Sequence, residues 1–190
     1  MGFEIEEDTL VRYIDEPGLF SVILPEEIKC VDRKAFDGCD IVKTVTGMNV
    51  RSIGKLWGDH EIKGARADLC LVFPEVSIDH EPAYTFKMAL CLGFLRYEKL
   101  YEKTCSTYEN YAIIQKKWLL KSLIRSNSDE MLLKALEFYE RKKALSAGDA
   151  EDFLSYAIEN DKTQSSAVLI NFRHSAFSKE KAGVFDEFEL

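Results

Sequence analysis

With 190 residues, 46% apolar and 31% charged, the chain has the composition of a folded globular protein with room for one large domain or two small ones. A formal net charge of −8 argues against a general nucleic-acid binder and leaves only a local basic stripe open to that use. No run approaches the roughly 18 apolar residues that span a bilayer, and the opening Met1-Gly2-Phe3-Glu4-Ile5-Glu6 is acidic where a signal peptide is basic and then apolar. Glu6 also stands where N-myristoylation requires Ser or Thr. The chain is read as cytoplasmic, or as one whose leader has been removed. Its five cysteines, Cys30, Cys39, Cys70, Cys91 and Cys105, are odd in number and form no C-x-x-C, so they are expected to be reduced core residues.

Phe3 to Tyr13 predicts a hairpin: Phe3-Glu4-Ile5 alternates, Glu7-Asp8-Thr9 turns, and Leu10 to Ile14 returns. Asp15-Glu16-Pro17-Gly18 is a turn, and Phe20 to Leu24 the next strand. Val22 to Cys39 then reads as one turn of a solenoid. Pro25 ends its strand, Ile28 and Val31 are inward anchors, Ala35-Phe36 plugs the next layer, and Gly38 turns the backbone out. The unit recurs in worn form. Val50-x-x-Ile53 echoes Ile28-x-x-Val31 at an offset of 22, and Leu56-Trp57 stands where Ala35-Phe36 stood. Leu71-Val72-Phe73-Pro74-Glu75 matches Ile23-Leu24-Pro25-Glu26, with Ile78 as the later anchor. A unit of this size buries its apolar face only against stacked neighbours.

From Ile23 to Cys39 the pattern resembles the BspA-type leucine-rich repeat, and the partial copies carry the resemblance over Phe3 to Phe86. It implies a short right-handed solenoid with a protein-contacting surface and no catalytic residues.

After Glu81-Pro82 the period changes from 2 to 3.6. Ala83 to Leu95 predicts a helix buried on most faces, and Tyr108 to Arg125 a long amphipathic one. Ser126-Asn127-Ser128-Asp129 breaks it. Met131 to Arg141 follows, with Leu132, Leu133, Leu136 and Tyr139 inward. Ser146-Ala147-Gly148-Asp149 has the form of a capping box, and starts a helix with Phe153, Leu154, Ala157 and Ile158 inward. A last helix runs from about Thr163 to His174. Asn127 and Asn160 lie 33 apart, as do Leu136 and Leu169, so Asn127 to Phe172 resembles a divergent ankyrin-like unit without its T-P-L-H motif. The expected fold is α+β. Residues 1–81 form a degraded leucine-rich-repeat-like β region with an N-terminal hairpin cap, residues 82–177 a helical ankyrin-like stack of about five helices, and residues 178–190 an acidic tail.

The chemistry-bearing residues are sparse. Asp59-His60-Glu61 and Asp79-His80-Glu81 would make a metal site only if adjacent turns brought both histidines together; polar turns are the plainer reading. No nucleophile elbow, dinucleotide fingerprint or P-loop occurs, so no activity and no cofactor is expected. Lys117, Lys121 and Arg125 form one stripe at i, i+4 and i+8, and Arg141-Lys142-Lys143 ends the next helix. If those helices are antiparallel, the two clusters make one basic patch. Trp57, Phe73, Tyr84 and Tyr97 complete the set of expected partner contacts. The reading is a non-enzymatic protein-binding repeat scaffold of bacterial or phage type, its partner another protein and its oligomeric state open. The alternative draws on the acids crowding Glu4 to Glu27: an inhibitor of a nucleic-acid enzyme, such as an anti-CRISPR protein blocking a Cas nuclease.

Overall fold

The alternation near the N-terminus yields the predicted hairpin, β1 (Gly2–Glu6) antiparallel to β2 (Thr9–Ile14). The computed structural model describes residues 2–54, 69–78 and 84–177, with backbone alone at 84 and 85. Among them no helix is long and apolar enough to cross a membrane. The chain divides into two compact units, Met1–Ile114 and Gln115–Leu190. The fold is α+β.

In the first unit, strands after the hairpin are short and all parallel: β3 (Ser21–Ile23), β4 (Cys30–Val31), β5 (Thr44–Thr46), β6 (Ser52–Ile53) and β7 (Cys70–Val72). They alternate between two sheets, ordered β1-β2-β4-β6 and β3-β5-β7. Leu10 pairs with Val31 and Val31 with Ile53, while Val22, Val45 and Leu71 align across the other sheet. Both rows are buried, so each strand hands an aliphatic side chain to the next along the stack.

The segment Val22–Cys39 is explained by this arrangement. Ile28, Val31, Ala35, Phe36 and Cys39 are buried, and Gly38 takes φ +77°, which a side chain would strain. The Val31–Ile53 pairing is the offset of 22 visible in sequence. One residue past the aligned Ile23, Thr46 and Val72 come Leu24, Gly47 and Phe73. A Cβ on Gly47 would come within 3.2 Å of Leu24 Cδ1 and 3.1 Å of Phe73 Cε1, so the two larger neighbours fill the space it leaves. Asp15 fixes the loop before β5, its carboxylate accepting from the backbone N–H groups of Asp40, Ile41 and Val42.

The helix α1 (Tyr84–Arg96) is buried from Met88 to Leu95, as its composition requires. The change of period at Pro82 therefore falls inside the first unit, because α1 packs on β7. Gly93 sits directly on that strand: a Cβ would lie 2.0 Å from the Leu71 carbonyl oxygen. A 3-10 turn (Glu98–Leu100) and α2 (Cys105–Ile114) complete the unit. Phe94, Tyr101 and Tyr108 cluster with ring centroids 4.8–5.5 Å apart.

The second unit holds α3 (Lys116–Arg125), α4 (Asp129–Arg141), α5 (Ala147–Glu159) and α6 (Thr163–Phe177). The single helix expected over Tyr108–Arg125 is thus two, ending and restarting at Gln115. Tyr108 and Ala112 are buried in the first unit, whereas Leu119, Leu120, Leu123 and Ile124 are buried in the second. Leu133 and Ile158, expected inward, are exposed, because each falls off the buried stripe of its helix. Asn127 and Asp161 both take positive φ, 53° and 56°, and each ends a helix in the same way. Ser128 N–H donates to Leu123 O, and Lys162 N–H to Ala157 O. These turns recur at 34 residues rather than 33, and the burial of Met131 and Ser165, Ala135 and Leu169, and Phe138 and Phe172 follows the same step.

Replacing Gly93 by Ala must displace α1 from β7, and is expected to cost about 1–3 kcal/mol. Gly148→Ala, which meets nothing closer than Ser146 Oγ at 3.8 Å, should instead stabilise α5 by about 0.5–1 kcal/mol. Urea denaturation of the two variants checks both signs.

Candidate functional site

The basic stripe is the sequence-predicted feature that the fold develops furthest. In the second unit α3 and α5 run side by side in the same direction. Lys116 meets Asp149 at their N-terminal ends, and Arg125 meets Tyr156 toward the other. Lys117 and Lys121 line one wall of a cleft of about 350 Å³; Asp149, Asp152 and Glu159 line the other, over Phe153 and Tyr156. The spacing i, i+4 on α3 and i, i+3, i+7, i+10 on α5 keeps each set on one helical face.

Tyr156 is the point where the cations gather. Lys121 Nζ lies 4.4 Å from its ring centroid and the Arg125 guanidinium carbon 5.9 Å, while Arg125 Nε donates to the phenol oxygen at 2.5 Å. Lys162 Nζ donates to the Arg125 carbonyl at 3.0 Å, adding a cation at the C-terminal end of α3. At the other end Lys116 Nζ donates to Ala144 O at 2.7 Å, which sets α3 beside the Arg141-Lys142-Lys143 turn. The two basic clusters are therefore neighbours at that end.

The capping box forms as its spacing predicts. Asp149 N–H donates to Ser146 Oγ at 3.0 Å, and Ser146 N–H donates to Asp149 Oδ2 at 3.0 Å. The same carboxylate receives Lys116 at 2.8 Å. That lysine, then the Ser146 N–H, hold the Asp149 carboxyl down at about 2. Sequence reasoning identified the box but not Lys116 as its partner, since a 33-residue separation leaves no local signal.

The other expected contact residues fare unevenly. Phe73 is 0% exposed and fills the core between Gly47 and the strands, so it is corrected from contact residue to core residue. Tyr97 is 42% exposed just past α1. Tyr84 begins α1 with only its backbone described, and Trp57, His60 and His80 lie outside the described residues. Cys39, Cys70 and Cys91 are buried thiols, and burial pushes the Cys91 thiol up strongly.

Two arrangements were not legible in sequence. Arg33 is buried, its Nε donating to Gly54 O at 2.6 Å and its guanidinium 5.6 Å from the Phe86 ring centroid. Glu98, Cys105 and Glu109 bring ligand-type atoms within 4.8 Å of one another, two of them joined by a 3.4 Å thiol-to-carboxylate hydrogen bond.

Comparison of the chain with protein-family models, with curated proteins and with solved structures finds no match to any of them.

Because the folded carboxyl of Asp149 titrates at about 2 against an ordinary 3.8, its charge favours the native state at every pH above that ordinary value. That contribution is lost as pH falls from about 4 toward 2. In Lys116→Met the Asp149 carboxyl should titrate closer to its ordinary value, so its acid-dependent contribution to stability should be smaller and fully lost at a higher pH than in the natural protein. Carboxyl-carbon NMR titration of both proteins measures the difference.

Proposed function

We propose that the chain is a non-enzymatic protein-binding module. In this reading the first unit is a short leucine-rich-type solenoid capped by the β1–β2 hairpin, and the second is a pair of stacked helical hairpins of ankyrin-like kind. Support for the first part comes from parallel strands that alternate between two sheets and from the aligned rows Leu10, Val31, Ile53 and Val22, Val45, Leu71. Support for the second comes from the recurrent helix ends at Asn127 and Asp161. The observation that carries the function is the α3–α5 cleft, where charged walls flank a tyrosine held by two cations. Ordered aromatics and arginines in a concavity are the usual anchors of protein recognition.

A photo-crosslinking amino acid at Ser155, inside the cleft, should capture one predominant chain from an extract of the source cell. The same group at Glu140, exposed on α4, should not. Lys117→Glu with Lys121→Glu should lower that capture roughly tenfold, the equivalent of ~1.4 kcal/mol. Equal labelling from both positions overturns the assignment of the cleft.

A second reading has its own observation. The N–H groups of Lys29 and Cys30 donate to the Asp8 carbonyl, which sets the exposed Glu26 and Glu27 beside the exposed hairpin acids Glu4, Glu6, Glu7 and Asp8. Such an acidic pole suits a basic channel made for phosphates, as in an anti-CRISPR inhibitor of a Cas nuclease. Binding to such an enzyme should then fall at least tenfold between 50 and 300 mM salt. Salt-insensitive binding, or none at low salt, removes this reading.

A further inference from the structure

The two edges of the sheet β3-β5-β7 are treated differently. At β7 the helix α1 comes down on the strand at Gly93, and the Tyr101 hydroxyl donates to the Leu71 carbonyl. The β1–β2 hairpin continues only the other sheet, and among the described residues β3 is paired to β5 alone. Phe20 O accepts from Thr44 N–H, and Leu24 N–H donates to Thr46 O, so the even-numbered residues turn their backbone groups toward β5. By the alternation of a strand, Ser21 and Ile23 turn theirs outward. Both residues are exposed, Ile23 at 73%, and the adjoining Phe20 is 57% exposed. An open strand edge flanked by exposed apolar side chains is a template for an added strand.

Charge narrows the choice of strand. Asp15, Glu16 and Asp40 gather before the start of β3, with Lys43 among them. Glu26 and Glu27 follow its end, with Lys29 donating to the Glu26 carbonyl. Arg96 reaches the neighbouring β5, where it donates to Thr44 Oγ1. These are five acids against three cations, in a stretch whose residues 2–54 carry eleven acids and six cations. A second copy adding its β3 antiparallel would set the acids of one end against those of the other, so self-pairing is disfavoured. Nucleic acid meets the same repulsion.

We propose that the β3 edge receives an extended peptide strand with a β-branched centre and cations at both ends. The peptide backbone takes up the outward N–H and C=O groups of Ser21 and Ile23. Its central side chains extend the rows that begin at Val22 and Ile23 by one place. Its terminal cations lie toward Asp15, Glu16 and Asp40 at one end and toward Glu26 and Glu27 at the other. About seven residues, roughly 23 Å of strand, cover β3 and two positions beyond each end. This edge belongs to the first unit and does not depend on the α3–α5 cleft.

The test uses the full chain and a fluorescein-labelled heptapeptide of two lysines, valine, threonine, valine and two lysines. Anisotropy should give a dissociation constant below about 1 mM. In NMR the Ser21 and Ile23 amides should exchange with solvent about tenfold more slowly when the peptide is bound. Two control peptides, one with glutamates for lysines and one N-methylated at its three central residues, should bind at least about tenfold more weakly. Ile23→Pro removes one outward N–H while leaving the β5 side of the ladder intact, and should weaken binding about tenfold. Glu26→Lys with Glu27→Lys, at two exposed turn positions, should do the same, and is the deciding variant where circular dichroism shows that the proline disturbs the fold. No binding at about 1 mM overturns the proposal. So does equal binding of either control peptide, full binding by the folded variants, or bound peptide that leaves the two amides exchanging freely. Slowing of those amides with protein concentration alone makes a second copy the occupant and overturns the cationic strand. If the heptapeptide fails yet the Ser155 probe captures a foreign chain, the edge assignment falls and the cleft reading stands.

Discussion

The parallel ladder of the first unit has to stop somewhere, and how it stops governs that unit. Among the described residues β7 is the last strand of its sheet, and one side of it is not paired to another strand. An open row of carbonyls buried beside apolar groups would be costly. The chain meets this with helix α1 and three hydroxyls. Gly93 lets the α1 backbone approach the Leu71 carbonyl more closely than any side chain would allow. Tyr101 then donates to Leu71 O at 3.4 Å, Thr104 to Pro74 O at 2.8 Å, and Tyr108 to Val76 O at 3.1 Å. The rings that carry two of those hydroxyls pack on Phe94, so one cluster both closes the core and satisfies the edge. Burial pushes the Tyr101 phenol well up, which keeps it a donor.

The second unit solves a different problem with local chemistry. Each helix end carries orphan carbonyls, and the chain closes three of them with one device. Asn127, Lys143 and Asp161 all take positive φ, and Ser128, Ala144 and Lys162 each send an N–H back five residues. A common turn gives a common geometry, which is why α5 lies alongside α3 and α6 alongside α4. Ser165, buried on α6, donates to Asp129 at the start of α4 and locks that second alignment. The charged cleft between α3 and α5 is a consequence of this registration. Two helices held parallel at matched levels present two parallel rows of side chains, and here the rows have opposite sign.

That origin also shows why the basic stripe means something different in the fold than in the sequence. Lys117, Lys121 and Arg125 alone describe a cationic helix face. Placed against Asp149, Asp152 and Glu159 they become half of a dipolar surface, with Tyr156 as its organising group. Such a surface presents a pattern of both signs rather than a field of one sign. At the β1–β2 hairpin tip, with Glu26 and Glu27 beside it, acids outnumber the neighbouring cations Arg12 and Lys29.

What the sequence determined by itself was local: the hairpin, the Val22–Cys39 unit and its offset of 22, the buried character of α1, and the Ser146–Asp149 box. Each is written in neighbouring residues through alternation, turn chemistry or an i, i+3 capping pair. The period of the helical part was legible to within one residue. The exposed Leu133 and Ile158 were not, because an apolar residue beside a stripe looks the same as one within it. Tertiary structure decided the rest. It split the apparent Tyr108–Arg125 helix at Gln115, since its two ends bury against different cores. It took Phe73 inside, because the space over Gly47 had to be filled. It also gave Lys116 its carboxylate and the basic stripe its acidic counterpart across separations of 24 to 42 residues, distances over which only packing relates one side chain to another.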